Sequence, residues 1–196
     1  MYLKEPEHDA AVEAGYATNT ADSGYLMNYA HAWAWRQDVS DHFLAARKTL
    51  AGQTTLSAGE IAAVNAAVAG ARRDTACSLA WGTKLAAQTS PAAAAAVLGG
   101  ETTGLSERER AIAVWAARVA RDPNATSQAD IDGLKAAGFD EREIAEATML
   151  AVFRLAFTAY NASLGVEPDQ ELKDAAPAEV RRAAGYGADA YSNVAS

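Results

Sequence analysis

The chain has 196 residues, half of them hydrophobic, with a formal net charge of -8 and a single cysteine. That length and apolar content suit one helical domain with terminal extensions. The acidic balance argues against a nucleic-acid partner, because phosphate neutralisation needs grouped Lys and Arg, and Arg72-Arg73 and Arg181-Arg182 are no more than pairs. One cysteine excludes both an internal disulfide and a cysteine-built structural zinc site.

The first residues, Met1-Tyr2-Leu3-Lys4-Glu5-Pro6-Glu7, lack the apolar run of a secretion signal, and no stretch of eighteen apolar residues follows that could cross a membrane. The expectation is a soluble, cytoplasmic protein with no membrane partner. Residues 1–23 read as an N-terminal extension. The domain is expected over 24–184, followed by a tail over 185–196 rich in small and polar residues.

Alanine dominates and β-branched residues are sparse, which predicts an all-α fold, since alanine loses no side-chain entropy in a helix. A first helix is predicted over 27–50. It carries the densest aromatic segment of the chain: Tyr25, Tyr29 and Trp33 recur at i, i+4, i+8, while His31 and Trp35 lie on another face. These read as core, subunit-interface or pocket-wall residues. His31, Asp38, Asp41 and His42 do not make a metal set, because only Asp38 and His42 share the i, i+4 relation. No metal and no cofactor are expected.

Ser57 with Glu60, and Ser106 with Glu109, are capping boxes that start helices predicted over 57–72 and 106–121. Ser90-Pro91 starts another over 91–98, with proline at its first position. Gly99-Gly100 and Gly138 are stops. Further helices are predicted over 75–89, 127–137, 140–163 and 177–184. The two capping boxes lie 49 positions apart, and the same shift pairs Arg72 with Arg121, Ser78 with Ser127 and Leu85 with Leu134. A helix-turn-helix duplication would explain this.

Within the 75–89 helix, Asp74 is a candidate N-cap that places Cys77 at N3, near the free amides and the positive dipole end, where thiolate is favoured. Cys77, Ala80, Trp81 and Lys84 then share one face. A lysine two turns on can approach the thiol and lower its pKa further. The bland alternatives are a buried, inert cysteine, a snorkelling lysine and a core tryptophan.

The segment Asp74-Thr75-Ala76-Cys77-Ser78-Leu79-Ala80-Trp81-Gly82-Thr83-Lys84 resembles the Cys-x-x-Cys-x-x-x-His signature of the alkylhydroperoxidase-D (AhpD) / carboxymuconolactone decarboxylase superfamily. Cys77 stands at the first cysteine, Ala80 at the second and Lys84 at the histidine. The likeness extends through Leu105–Glu109, Asp130–Asp140, Glu143-Ile144 and Asn161–Asp169. It implies an AhpD-like helical bundle and a small-molecule pocket at Cys77, Trp81 and Lys84, with a homo-oligomer such as a dimer, trimer or hexamer.

In the family's redox members, the resemblance implies, the second cysteine attacks, the first resolves it, and the histidine with an upstream glutamate relays protons. Here Ala80 supplies no attacking thiol, so a dithiol cycle cannot run within one chain. The family spacing of the glutamate falls on Asn65, while Glu60 is also the N3 residue of its capping box. Three activities therefore stay open: a peroxidase-related oxidoreductase using Cys77 and an external thiol; a cofactor-free acid/base enzyme acting on a small organic acid through Lys84; and a non-catalytic oligomeric binding module. Candidate catalytic residues are Cys77, Lys84 and Glu60, with Ala80, Trp81, Asn65, His31 and Trp35 as pocket residues.

Overall fold

The computed structural model describes residues 1–186. Among them are eleven α-helices and two short 3-10 turns, with no strand. The tail expected over 185–196 lies, from residue 187 onward, outside the described residues.

The architecture is built around α4 (Ala58–Arg72), which is buried from Ala62 to Gly70 without interruption. Its alanines, valines and glycines present small side chains on every side, and a helix that is apolar all round is stable only inside a core. The neighbouring helices α5 (Thr75–Gln88), α6 (Pro91–Leu98), α7 (Glu107–Arg121) and α9 (Glu141–Ser163) all pack on it. At Gly70 the approach is closest: a Cβ there would lie 2.5 Å from the Leu98 carbonyl oxygen.

Capping chemistry sets the element ends as expected. Ser57 and Ser106 each accept from the N3 amide while Glu60 and Glu109 reach back to the cap. Helix α4 and helix α7 keep the 49-position offset at both ends. Helix α8 (Gln128–Ala136) follows α7 as α5 follows α4, after a longer turn. Arg73 ends α4 in the left-handed region (φ 54°, ψ 38°), and the Asp74 amide donates back to Ala69 O at 3.0 Å. This Schellman-type closure reverses the chain in two residues, so that α5 starts at once.

Two expectations need correction. The helix predicted over 27–50 is broken: α2 (Asn28–Trp33) passes through a 3-10 turn at Ala34–Arg36 before α3 (Gln37–Gln53) begins. Arg36 leaves helical space (φ -142°, ψ 67°). Here the anchoring of Trp33 Nε1 on Asn161 Oδ1 (2.8 Å) and the pairing of Arg36 with Asp38 override continuous helix. The segment before Gly24 is also more than an extension, for it holds α1 (Ala10–Ser23). Asp9 caps this helix, Gly24 (φ 85°) stops it, and Val12 and Tyr16 bury against Ala30 and Ala34. Short helices α10 (Gln170–Ala175) and α11 (Ala178–Ala183) close the described chain, with Val180 fully buried beside Gly82 of α5.

Candidate functional site

Helix α5 has two different faces. Ser78, Gly82 and Leu85 turn into the core, while Cys77, Ala80, Trp81 and Lys84 line a cavity of about 210 Å³. The Asp74 side chain accepts from the Cys77 amide at 2.7 Å, which fixes Cys77 at N3 as the capping argument requires. Opposite α5 stands α9, supplying Arg154, Phe157 and Asn161; α3 supplies Arg47 and α2 supplies Tyr29.

The sulfur of Cys77 is buried, and its polar partners come from α9. Arg154 Nη1 donates to Sγ at 3.4 Å and Thr158 Oγ1 donates at 3.6 Å. Arg154, itself only 4% exposed, is held by Asn65, whose Oδ1 accepts from Nε at 2.9 Å and whose Nδ2 donates to Ile61 O at 2.8 Å. Two opposing influences act on the thiol. Burial pushes its pKa up, and the Arg154 charge with its hydrogen bond pulls it down; burial wins and the net shift is upward. The thiol is therefore neutral at rest near pH 7, with a guanidinium ready to stabilise the thiolate when it forms.

Lys84 does not take the position expected of it beside the sulfur. Its ammonium sits 4.4 Å from the centroid of the Trp81 ring, and the guanidinium of Arg154 lies 5.0 Å from the same ring. The cation at the thiol is Arg154. Lys84 stands instead at the cavity mouth, with part of its side chain in solvent. Burial of its ammonium end, then the charges of Arg154 and Arg47, lower its pKa. Arg47 stacks over Phe157 (5.1 Å) and Phe43 (5.8 Å), and burial with repulsion from Arg154 brings its pKa down to about 10.

The other sequence-based candidates lie elsewhere. Glu60 keeps the Ser57 cap and pairs with Arg108 (2.5 Å), and it does not line the cavity. Arg108 also bridges to Glu143 at 3.1 Å, which ties the starts of α4, α7 and α9 together. Asn65 belongs to the site only from behind, through Arg154. His31 pairs with Glu5 on the surface away from Cys77. Trp35 is 48% exposed and donates to the Lys4 carbonyl at 3.0 Å. The aromatic residues of this segment that reach α9 are Trp33, stacked on Phe157 at 5.7 Å, and Tyr29, edge-on to the same ring at 4.9 Å.

Sequence reasoning missed Arg154, Arg47 and Thr158. A signal existed for Arg154, an arginine flanked by Phe153, Leu155 and Phe157 in a long apolar helix, since an unpaired charge is almost never buried without purpose. Arg47 gives no such signal, because Ala46-Arg47-Lys48 reads as an ordinary solvated stretch. Three carboxylates also line the cavity, Asp74, Glu167 and Asp169, and two of them are engaged with backbone. Asp74 caps α5, and Asp169 accepts from the Asn28 amide at 2.7 Å; burial raises the pKa of both.

No family model and no curated protein matches the chain. Solved structures do. An AhpD-core, uncharacterized peroxidase-related protein from Ralstonia eutropha JMP134 is similar with a TM-score of 0.77 and 20% identity, over 87% of this chain and 93% of that one. An uncharacterized peroxidase-related protein from Silicibacter sp. TM1040 is similar with a TM-score of 0.78, also at 20% identity and the same 87% and 93% coverage. The debrominase Bmp8, crystallised as a cysteine-to-alanine variant in complex with 2,3,4-tribromopyrrole, is similar with a TM-score of 0.70 and 14% identity, over 88% of this chain and 95% of that one. The chain has the AhpD-like all-α fold.

Proposed function

We propose, on the premise of that fold, that the chain is a peroxidase-related oxidoreductase that works with one thiol. The observation that carries the reading is the contact of Arg154 Nη1 with Cys77 Sγ at 3.4 Å, on the wall of a small-molecule cavity. A guanidinium there stabilises the thiolate, which is the reactive form of cysteine. The thiolate attacks the outer oxygen of a hydroperoxide, the O–O bond breaks, and the leaving alkoxide takes a proton from water. Sulfur is oxidised to sulfenic acid and the peroxide is reduced to an alcohol. An external thiol then condenses with the sulfenic acid, releasing water and forming a mixed disulfide. A second external thiol reduces that bond and returns Cys77. Similarity to a debrominase crystallised as a cysteine-to-alanine variant in complex with 2,3,4-tribromopyrrole supports a small-molecule site on this fold.

The test is turnover of a hydroperoxide with a small thiol as reductant, together with mass spectrometry of Cys77. Activity should disappear in Cys77→Ala, and peroxide alone should add one oxygen to Cys77. Turnover equal in wild type and Cys77→Ala would sink the reading. Ala80→Cys with Lys84→His, which rebuilds the missing groups of the two-thiol motif, should raise turnover with a dithiol reductant at least several-fold.

One observation favours a second reading. Lys84 has a lowered pKa and stands at the same cavity, so it suits proton transfer to or from a small organic acid without any redox step. Turnover of such a substrate that survives Cys77→Ala and is lost in Lys84→Ala would select it.

A further inference from the structure

The uninterrupted buried stretch of α4 holds a single polar side chain. Asn65 is 3% exposed among alanines and valines, and a buried carboxamide is costly unless both of its ends are paired. Both are. Its Nδ2 donates to Ile61 O on the preceding turn of α4 at 2.8 Å, and its Oδ1 accepts from Arg154 Nε at 2.9 Å. Arginine has donors and no acceptor, so the amide atom that faces it is the oxygen. The bond to Ile61 thus aims the carbonyl across to α9, where it holds one edge of the guanidinium while Nη1 reaches Cys77 Sγ at 3.4 Å.

We infer that Asn65 is a positioning residue: it fixes Arg154 at the Cys77 sulfur with a neutral amide, leaving the whole charge of the guanidinium to the thiolate. The inference rests on Cys77 as the working thiol of the one-thiol chemistry and adds what orients its cation. Among the described residues no carboxylate forms an ion pair with Arg154. Asn65 therefore supplies orientation without charge. A carboxylate in its place would accept the same hydrogen bond, but the thiolate would then be the second anion on one buried cation, where repulsion is screened little. A guanidinium already fixed also needs no reorganisation when charge appears on sulfur. The rings of Trp81 (5.0 Å) and Phe157 (5.2 Å) flank it on the α5 and α9 sides.

Other charged and titratable groups face Cys77 from each neighbouring element. Asp74 and Lys84 come with α5 itself, Arg47 stands on α3, Tyr29 on α2, and Glu167 and Asp169 lie in the segment after α9. Helix α4 adds none, because Glu60 is paired with Arg108 and Arg72 is exposed at the helix end. All of these groups are unchanged when position 65 is substituted. A difference in thiol titration among such variants therefore reports the link from Asn65 through Arg154.

The experiment is the pH profile of Cys77 alkylation by iodoacetamide in the full chain. Asn65→Asp, nearly isosteric, should move the profile to higher pH and lower the rate at pH 7 at least about fivefold. Asn65→Leu, similar in volume but without an acceptor, should lower that rate at least about threefold. Added to Arg154→Met, Asn65→Leu should change the rate by less than about twofold, since nothing remains to be positioned. A side chain that only fills space would leave the profile where it is. An unchanged profile in Asn65→Asp or, should that variant fail to melt cooperatively, in Asn65→Leu would overturn the inference, as would an equal loss with and without Arg154. Shifted profiles in a protein without Cys77-dependent hydroperoxide turnover would keep the positioning role and overturn the one-thiol chemistry. Cys77-dependent turnover with unshifted profiles would do the reverse.

Discussion

A single buried guanidinium decides what the single thiol can do. Because burial raises the Cys77 pKa and Arg154 opposes that rise, the thiolate fraction near neutrality is small and grows with pH. The rate of Cys77 alkylation by iodoacetamide should therefore climb about tenfold per pH unit from pH 7 upward and level off above the ordinary thiol range near 8.5. Arg154→Met removes the largest influence that lowers the thiol pKa, so its profile should shift to higher pH and its rate at pH 7 should fall at least about tenfold; an unchanged profile would separate Arg154 from the thiol. Glu60 titrates in the opposite sense. Burial pushes its carboxyl up, but Arg108 and the Ser57 amide outweigh burial and its pKa is lowered. A lowered folded pKa gives stability that is present above the unfolded value of about 4.3 and is lost as pH falls through the folded value. Glu60→Gln should lower Tm at pH 7 by about 3–6 °C, from the loss of about 1–2 kcal/mol, and the gap to wild type should narrow toward pH 3. At this scale the sequence was informative where chemistry is local: Asp74, Cys77, Ala80, Trp81 and Lys84 follow one another on a helix face, and the cavity contains them all. It was silent on Thr158, which reaches Cys77 from α9, and on Arg47, which α3 brings to the same cavity.

Elements were legible wherever a cap announced them. Ser57, Asp74, Ser90 and Ser106 each accept from the amide three residues on, and the helices they start lie within a residue or two of expectation. The break after Trp33 was not legible, because no proline or glycine marks it and its cause is Asn161, far along the chain. Helix α1 had its marks, Asp9 and Gly24, but its weak amphipathic pattern hid them. The small residues of α4 have an energetic meaning that substitutions can measure. Gly70→Ala places a methyl against the Leu98 backbone, which cannot yield as a side chain can. Overpacking of this kind costs about 1–3 kcal/mol, so Tm should drop by about 3–9 °C. Gly133 in α8 has nothing within 4 Å of an added Cβ; Gly133→Ala should instead raise Tm slightly, by the gain of about 0.5–1 kcal/mol in helix propensity. Calorimetry that found equal effects at both positions would contradict this packing of α4 against α6.

For the molecule as a whole, the core around α4 leaves some large apolar residues outside. Val114 on α7 and Met149 and Val152 on α9 are each about half exposed, at 50%, 52% and 47%. Apolar side chains left in water at successive turns of one helix favour self-association. Light scattering at micromolar concentration should find a dimer or larger, and Met149→Glu with Val152→Glu should shift the population toward monomer; a wild-type monomer would remove the expectation. The offset of 49 positions between the two helical hairpins has a different reach. A hollow between α7 and α8 is lined by Ala129, Asp130 and Gly133, the counterparts of Ala80, Trp81 and Lys84 under that shift. One hairpin carries Cys77, Trp81 and Lys84, and the other repeats its posture with Thr126, Asp130 and Gly133 in their places. In a saturation scan scored by function, paired positions on α4 and α7 should therefore show similar tolerance profiles, because both serve the core. Paired positions on α5 and α8 should diverge, with Trp81 and Lys84 restrictive while Ala129 and Gly133 accept most replacements.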